Sequence, residues 1–117
     1  YDMTTQVAKD SDTVSNFLQG KSFDEAPELY RQSSPRFHLD KNDPPTLILH
    51  GTIDDIVEVS QSDALAAHLK RLKIPHAYGR LDGWPHTMDL AKPVNDYCQA
   101  MMDRFFAKHV PLPQKKQ

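Results

Sequence analysis

The pattern of apolar and polar positions changes character near residue 45. Before it, apolar residues come in small groups without the alternation of a half-buried strand, and the spacing predicts short connecting helices. Asp12 is placed to cap one of them through Thr13, Val14, Phe17 and Leu18, with Gly20 where a left-handed residue would end it. Asp24 opens a second, running through Glu28 and Tyr30 until Pro35 drives Ser34 toward an extended conformation. Asn42-Asp43-Pro44-Pro45 is a turn and breaker cluster.

Beyond it, Thr46-Leu47-Ile48-Leu49 is a continuous apolar run ending at His50-Gly51, as expected of a strand covered on both faces in a parallel sheet. A polar turn over 52–55 follows. Ser60 and Asp63 then have the spacing of a capping box, and Leu65, Ala66, Leu69 and Leu72 give one apolar face to a helix over about 61–72. Pro75 bars its continuation, and residues 76–81 predict a second strand running into Asp82-Gly83. Pro93 suits the first turn of a last helix, along which Val94, Tyr97, Cys98, Met101, Met102 and Phe105 repeat at helical spacing as a core stripe. The expected organisation is α/β: a connecting helical segment at 1–45, a strand-helix-strand-helix unit at 46–110, and a flexible tail at 111–117.

Composition narrows the partners. With 38% hydrophobic and 26% charged residues the 117-residue chain is expected to fold. A net charge of −2 and a pI near 6.3, with Lys and Arg scattered, leave no basic stripe for a phosphate backbone, so nucleic acid is excluded as a partner. No apolar run approaches the roughly 18 residues that a membrane span requires. The single cysteine, Cys98, falls on the apolar stripe and reads as a buried structural thiol. His38, His68, His76 and His109 form no ligand pair at the four-residue helical spacing of a zinc motif, and neither a metal nor an organic cofactor is expected. Localisation stays open.

The chemistry lies in two loops. Asp54 and Asp55 follow the first strand, and His86 follows the second; a crossover helix between parallel strands brings both loops to one edge of the sheet, where reactive groups of such sheets gather. A carboxylate bonded to one imidazole nitrogen fixes the tautomer and stabilises the imidazolium formed when the other nitrogen takes a proton from a serine. His50, at the end of the first strand, is assigned a packing or bonding role there, and Trp84 either lines a subsite beside His86 or covers the sheet edge.

His50-Gly51-Thr52-Ile53-Asp54-Asp55-Ile56-Val57, followed by Ser60-Gln61-Ser62 and Leu65, resembles the acid loop of α/β-hydrolases. Gly83-Trp84-Pro85-His86 resembles their histidine loop. Ser34-Pro35, Pro44-Pro45, and Phe105-Phe106 with Lys108-His109 are similar, more narrowly, to esterases related to prolyl oligopeptidase, including acetyl-xylan and feruloyl esterase-like members. The resemblance implies the last two parallel strands of an α/β-hydrolase sheet with their flanking helices. It also implies that Asp54, with Val57 three residues on, is the triad acid, and that Asp55 is a solvated loop acid. His86 is implied as general base and then general acid. Glu58 departs from the family pattern, which has proline there.

The nucleophile of that family sits in Gly-x-Ser-x-Gly, and glycines 20, 51, 79 and 83 form no such motif around a serine. Ser60 and Ser62 are expected to serve at a helix start. Tyr1-Asp2-Met3-Thr4 resembles the segment just beyond strand six, so the expectation is a C-terminal part of a serine esterase without its elbow or oxyanion hole. Its substrate in the full-length protein would be a small or polysaccharide-linked carboxylic ester. The alternative is a non-catalytic unit that associates with itself or a partner through an exposed sheet edge.

Overall fold

The structure, a computed structural model, describes residues 1–110, so the tail expected at 111–117 lies outside the described residues. The chain forms two compact units that divide between Lys41 and Asn42.

In the first unit, helices α1 (Gln6–Lys9), α2 (Asp12–Phe17) and α3 (Pro27–Gln32) are followed by a 3-10 turn at Pro35–Phe37. The cap of α2 is Ser11 rather than Asp12: Ser11 has the extended backbone of an N-cap and its Oγ accepts from the Val14 N–H, while Asp12 sits in the first turn. Gly20 is left-handed at φ 72°, as expected, Gln19 before it is left-handed too at φ 65°, and the Gly20 N–H closes the turn on the Ser15 carbonyl. Nor does α3 start at Asp24. Pro27 occupies its first turn, and the preceding turn is held by Glu25 accepting from the Ser22 N–H and Oγ. Tyr30 is fully buried, edge-on to Phe23, with its hydroxyl on the Lys21 carbonyl. Asp2 accepts from the Thr4 N–H and hydroxyl through Oδ1 and from the Arg36 guanidinium, at 2.6 Å, through Oδ2.

The second unit is a parallel strand pair with one crossover. Strand β1 (Thr46–Gly51) carries the apolar run two residues further than the run itself, and β2 (His76–Leu81) pairs with it in the register Thr46↔His76 to Gly51↔Leu81. Helix α4 (Val59–Arg71) connects them and α5 (Lys92–His109) follows a 3-10 turn at Met88–Leu90. The capping box is absent: α4 starts at Val59 behind Glu58, which makes no side-chain cap, and Asp63 bonds Tyr78 and Arg80 instead. The helix stops before Pro75 is reached. Lys73 turns left-handed at φ 58°, with Lys73 N–H on the Lys70 carbonyl and Ile74 N–H on the Leu69 carbonyl.

Strand side chains alternate between faces, and the contacts identify each. Tyr78 and Arg80 reach α4 through Asp63, and His50, level with Arg80, reaches it through Ser62. Leu49 and Gly79 face the other way, where a Cβ on Gly79 would come within 3.7 Å of Tyr97 and Met101 of α5. Burial of Ile48, Leu69, Ile74, Val94 and Cys98 makes the core of this unit. Burial pushes the Cys98 thiol up, with the Asp89 charge adding to it, as suits an unreactive structural cysteine.

Candidate active site

The carboxyl end of the sheet carries both loops. Gly51 ends β1 against the histidine loop so closely that a Cβ there would lie 2.1 Å from the Trp84 carbonyl oxygen and 2.9 Å from that of Pro85. Three bonds join the loops across this contact. The Ile53 N–H donates to the Trp84 carbonyl at 3.2 Å, the Thr52 hydroxyl donates to Asp82 Oδ1 at 3.1 Å, and the Gly83 N–H donates to the Thr52 hydroxyl at 2.8 Å.

Held in this way, His86 and Asp54 meet: His86 Nδ1 lies 2.8 Å from Asp54 Oδ2. The Asp54 side chain keeps 7% of its surface and that of His86 39%. Asp54 Oδ1 accepts from the Ile56 N–H at 3.0 Å and the Val57 N–H at 2.8 Å, so the loop's own backbone wraps the carboxylate. Burial is the strongest single influence on Asp54 and pushes its carboxyl up. The bonds from Val57 N–H, His86 and Ile56 N–H together outweigh it and hold the carboxyl below the ordinary value of 3.8. Asp54 is therefore ionised at neutral pH. A carboxylate at Nδ1 requires the hydrogen there, which leaves the lone pair of the neutral ring on Nε2. Among the described residues, no hydrogen bond occupies His86 Nε2.

The neighbouring acid, Asp55, is exposed and its carboxyl is not part of this pair. Immediately after His86 the chain turns on Thr87, whose φ of 55° is rare for a β-branched residue. Its hydroxyl donates to the His86 carbonyl at 2.6 Å. Strain of this kind, about 1–3 kcal/mol, persists where surrounding structure overdetermines it.

Three participants were not legible as such. Ser62 lies at the start of α4, as expected, but it is fully buried there, with Oγ 2.6 Å from His50 Nδ1. His50 bonds at the strand end, as assigned, but its Nε2 faces Asp54 Oδ2 at 3.1 Å as well as the Val57 carbonyl at 2.9 Å. Thr52, a small polar residue in a turn, ties the two loops. No group of three or more His, Cys, Asp or Glu able to hold a metal occurs among the described residues.

The family model described as BD-FAE matches residues 1–69, more than half of the chain. The chain belongs to the BD-FAE family. It is 28% identical over 88 residues to Esterase LipC of Mycobacterium tuberculosis (strain ATCC 25618 / H37Rv), a match covering 74% of this chain and 22% of that protein. Its fold is similar to a truncated form of a carbohydrate esterase from gut microbiota, at a TM-score of 0.65 and 27% identity, over 76% of this chain and 30% of that one. The chain thus spans under a third of the length of either relative. Its two parallel strands with flanking helices are an esterase-like part of the α/β-hydrolase fold, as the sequence resemblance implied. No helix among the described residues is long and apolar enough to cross a membrane.

Proposed function

We propose that this BD-FAE member supplies the acid and the base of a Ser-His-Asp esterase, with the serine contributed by a segment outside these residues. The observation that carries the reading is the contact of His86 Nδ1 with a shielded, ionised Asp54 while Nε2 remains open. In such a site Nε2 takes the proton of the serine hydroxyl as the serine oxygen bonds to the acyl carbon. The ester C–O bond then breaks, and the same proton passes to the leaving alcohol. Water repeats the sequence, giving a proton to Nε2 and releasing the acid, and the serine recovers its hydrogen. Asp54 keeps the hydrogen on Nδ1 throughout and stabilises the imidazolium.

None of the chain's serines suits the nucleophile: no Gly-x-Ser-x-Gly is spelled, and Ser34 and Ser62 are buried and bonded. Two relatives named as an esterase and a carbohydrate esterase support a carboxylic ester as substrate, and we extend this to an ester carried on a carbohydrate.

Hydrolysis of p-nitrophenyl acetate tests the reading, comparing the 117-residue chain with a longer polypeptide that includes an elbow serine. The expected result is turnover by the longer protein only, lost in both Asp54→Asn and His86→Ala. Turnover by the short chain, or activity indifferent to those substitutions, would refute it.

One observation favours a second reading. Among the described residues β1 has a ladder on one side only, and an apolar groove of about 420 Å³ lies beside it between Pro45, Leu47, Leu49, Met102, Phe105 and Phe106. An open edge next to apolar surface suits pairing with a second copy. Light scattering that finds a dimer weakened by Leu47→Lys would support it, and a monomer at all concentrations would not.

A further inference from the structure

We propose that His50 is a positioning residue for the Asp54–His86 pair, held as an Nε2–H donor by the buried hydroxyl of Ser62. The inference rests on the reading of Asp54 and His86 as a working pair and adds residues to it.

The geometry around the His50 ring dictates where its hydrogen sits. Nε2 has two neighbours at bonding distance, the Val57 carbonyl at 2.9 Å and Asp54 Oδ2 at 3.1 Å, and both are acceptors. A bare nitrogen there would set lone pair against lone pair, so Nε2 carries the hydrogen and donates it to the Val57 carbonyl, with Asp54 Oδ2 beside it. In the neutral ring Nδ1 is then the acceptor. What lies 2.6 Å from it is the Ser62 hydroxyl, which can donate. The ring keeps 5% of its surface and Ser62 none, so water does not compete for either bond.

This wiring has a mechanical consequence. Val57 appears twice in it: its N–H holds Asp54 Oδ1 and its carbonyl accepts from His50. The acid loop is thereby closed on itself through the imidazole, and the imidazole is pinned to α4 through Ser62. Asp54 is bonded at both oxygens, by backbone N–H groups on Oδ1 and by the His86 imidazole on Oδ2, and the His50 ring stands 3.1 Å from Oδ2. Without His50, the Val57 carbonyl loses its bond, the acid loop loses its tie to α4, and the side-chain bond on Oδ2 comes from His86, which is partly exposed. The carboxylate would then follow His86 rather than orient it.

Ring tautomers read from long-range 1H–15N correlations of the carbon-bound imidazole protons test this on the 117-residue chain, above the histidine titration range where the rings are neutral. In the unsubstituted chain His50 is expected as the Nε2–H form and His86 as the Nδ1–H form. His50→Leu is expected to lose the Nδ1–H pattern of His86 in favour of a mixture, and His50→Gln, which keeps a donor near the Nε2 position, to restore it. Ser62→Ala is expected to mix the His50 tautomers and, to a smaller extent, those of His86.

A folded His50→Leu chain, by its amide spectrum, in which His86 stays wholly Nδ1–H sinks the proposal and leaves the triad reading intact. Should that variant unfold, Ser62→Ala decides: unchanged tautomers at both rings overturn the proposal. If His86 is not Nδ1–H in the unsubstituted chain, the Asp54–His86 reading itself fails and this one with it.

Discussion

Each unit of the chain contains a shielded aspartate, and the two differ in what they hold. Asp2 keeps 8% of its side-chain surface and Asp54 7%. Both carboxyls lie below the ordinary aspartate value of 3.8, although burial, the strongest single influence on each, pushes the other way. In Asp2 the opposing contributions come from Thr4 and then from Arg36, whose guanidinium does not titrate in this range. In Asp54 they come from two backbone N–H groups and from His86, which can gain and lose a proton. A carboxylate paired with a permanent cation is a tether; one paired with an imidazole is able to steer a proton. Shielding and a depressed carboxyl are common to both and do not distinguish structure from chemistry.

The comparison breaks most sharply on activity. In a longer polypeptide that includes an elbow serine, the proposed function expects Asp54→Asn to lower kcat for p-nitrophenyl acetate by about 10⁴-fold, the scale on which triads lose rate when the acid no longer fixes the tautomer. Asp2→Asn is expected to leave kcat within about threefold, a change of roughly 0.7 kcal/mol in barrier. A loss in Asp2→Asn as deep as in Asp54→Asn, measured where both proteins are folded, would erase the distinction.

Next in size is the contact that lets the second carboxylate find its partner. Gly51→Ala places a methyl 2.1 Å from the Trp84 carbonyl oxygen, so one loop must move. The cost is expected at about 3 kcal/mol, the upper part of the usual overpacking range. A urea denaturation followed by Trp84, the single tryptophan, reports on this unit directly. A shift under a third of that size would mean that the histidine loop is not seated on Gly51.

Acid unfolding sharpens the shared half of the comparison. Because both carboxyls are lowered in the folded chain, the unfolded chain binds more protons as pH falls below 3.8, and stability declines there. The contribution of each is complete above that value and is lost as pH drops through the folded one. Asp2→Asn is expected to cost about 2 kcal/mol at neutral pH, as for a hydrogen bond with a charged partner. That difference should shrink as pH falls from 3.8 through the folded value. Amide exchange over residues 1–41 measures it, and a cost that persists undiminished in acid would show that Asp2 acts through packing rather than charge.

How much of this was legible follows from the range of the interactions. Strands and the last helix were readable because Leu47-Ile48-Leu49 and the stripe from Val94 to Phe105 carry their pattern within a few residues. The Asp54–His86 pairing was readable because parallel strands with a crossover leave only one edge where the two loops can meet. Caps were not: Ser11 and Asp12 are adjacent and chemically equal to the task, and only the extended backbone at Ser11 decides. The partner of Ser62 was missed because a serine near a helix start reads as a cap, whereas His50 is twelve residues back on a strand. Thr52 gave no signal at all, since its partners Asp82 and Gly83 lie thirty and thirty-one residues away.

Thr52 supplies the smallest and most selective test of the second region. Its hydroxyl bridges the loops, donating to Asp82 and accepting from the Gly83 N–H, while its own N–H donates to the Leu81 carbonyl at 2.9 Å. Thr52→Val keeps the shape and the backbone bond and removes only the bridge. Gly83 and Asp82 are exposed, so water takes up both freed groups, and the expected cost is about 0.5–1 kcal/mol, the net worth of ordinary hydrogen bonds. Thr52→Ser should recover it. The informative readout is the His86 tautomer. If the bridge merely adds stability, Thr52→Val leaves His86 as the Nδ1–H form; if it sets the approach of the two loops, the tautomers mix although the denaturation midpoint hardly moves. The close seat of Trp84 on Gly51 and the Ile53–Trp84 bond remain in that variant, and the first outcome is therefore the expected one. A mixed His86 ring in Thr52→Val would move the alignment of the acid and the base from the backbone contact to this one hydroxyl.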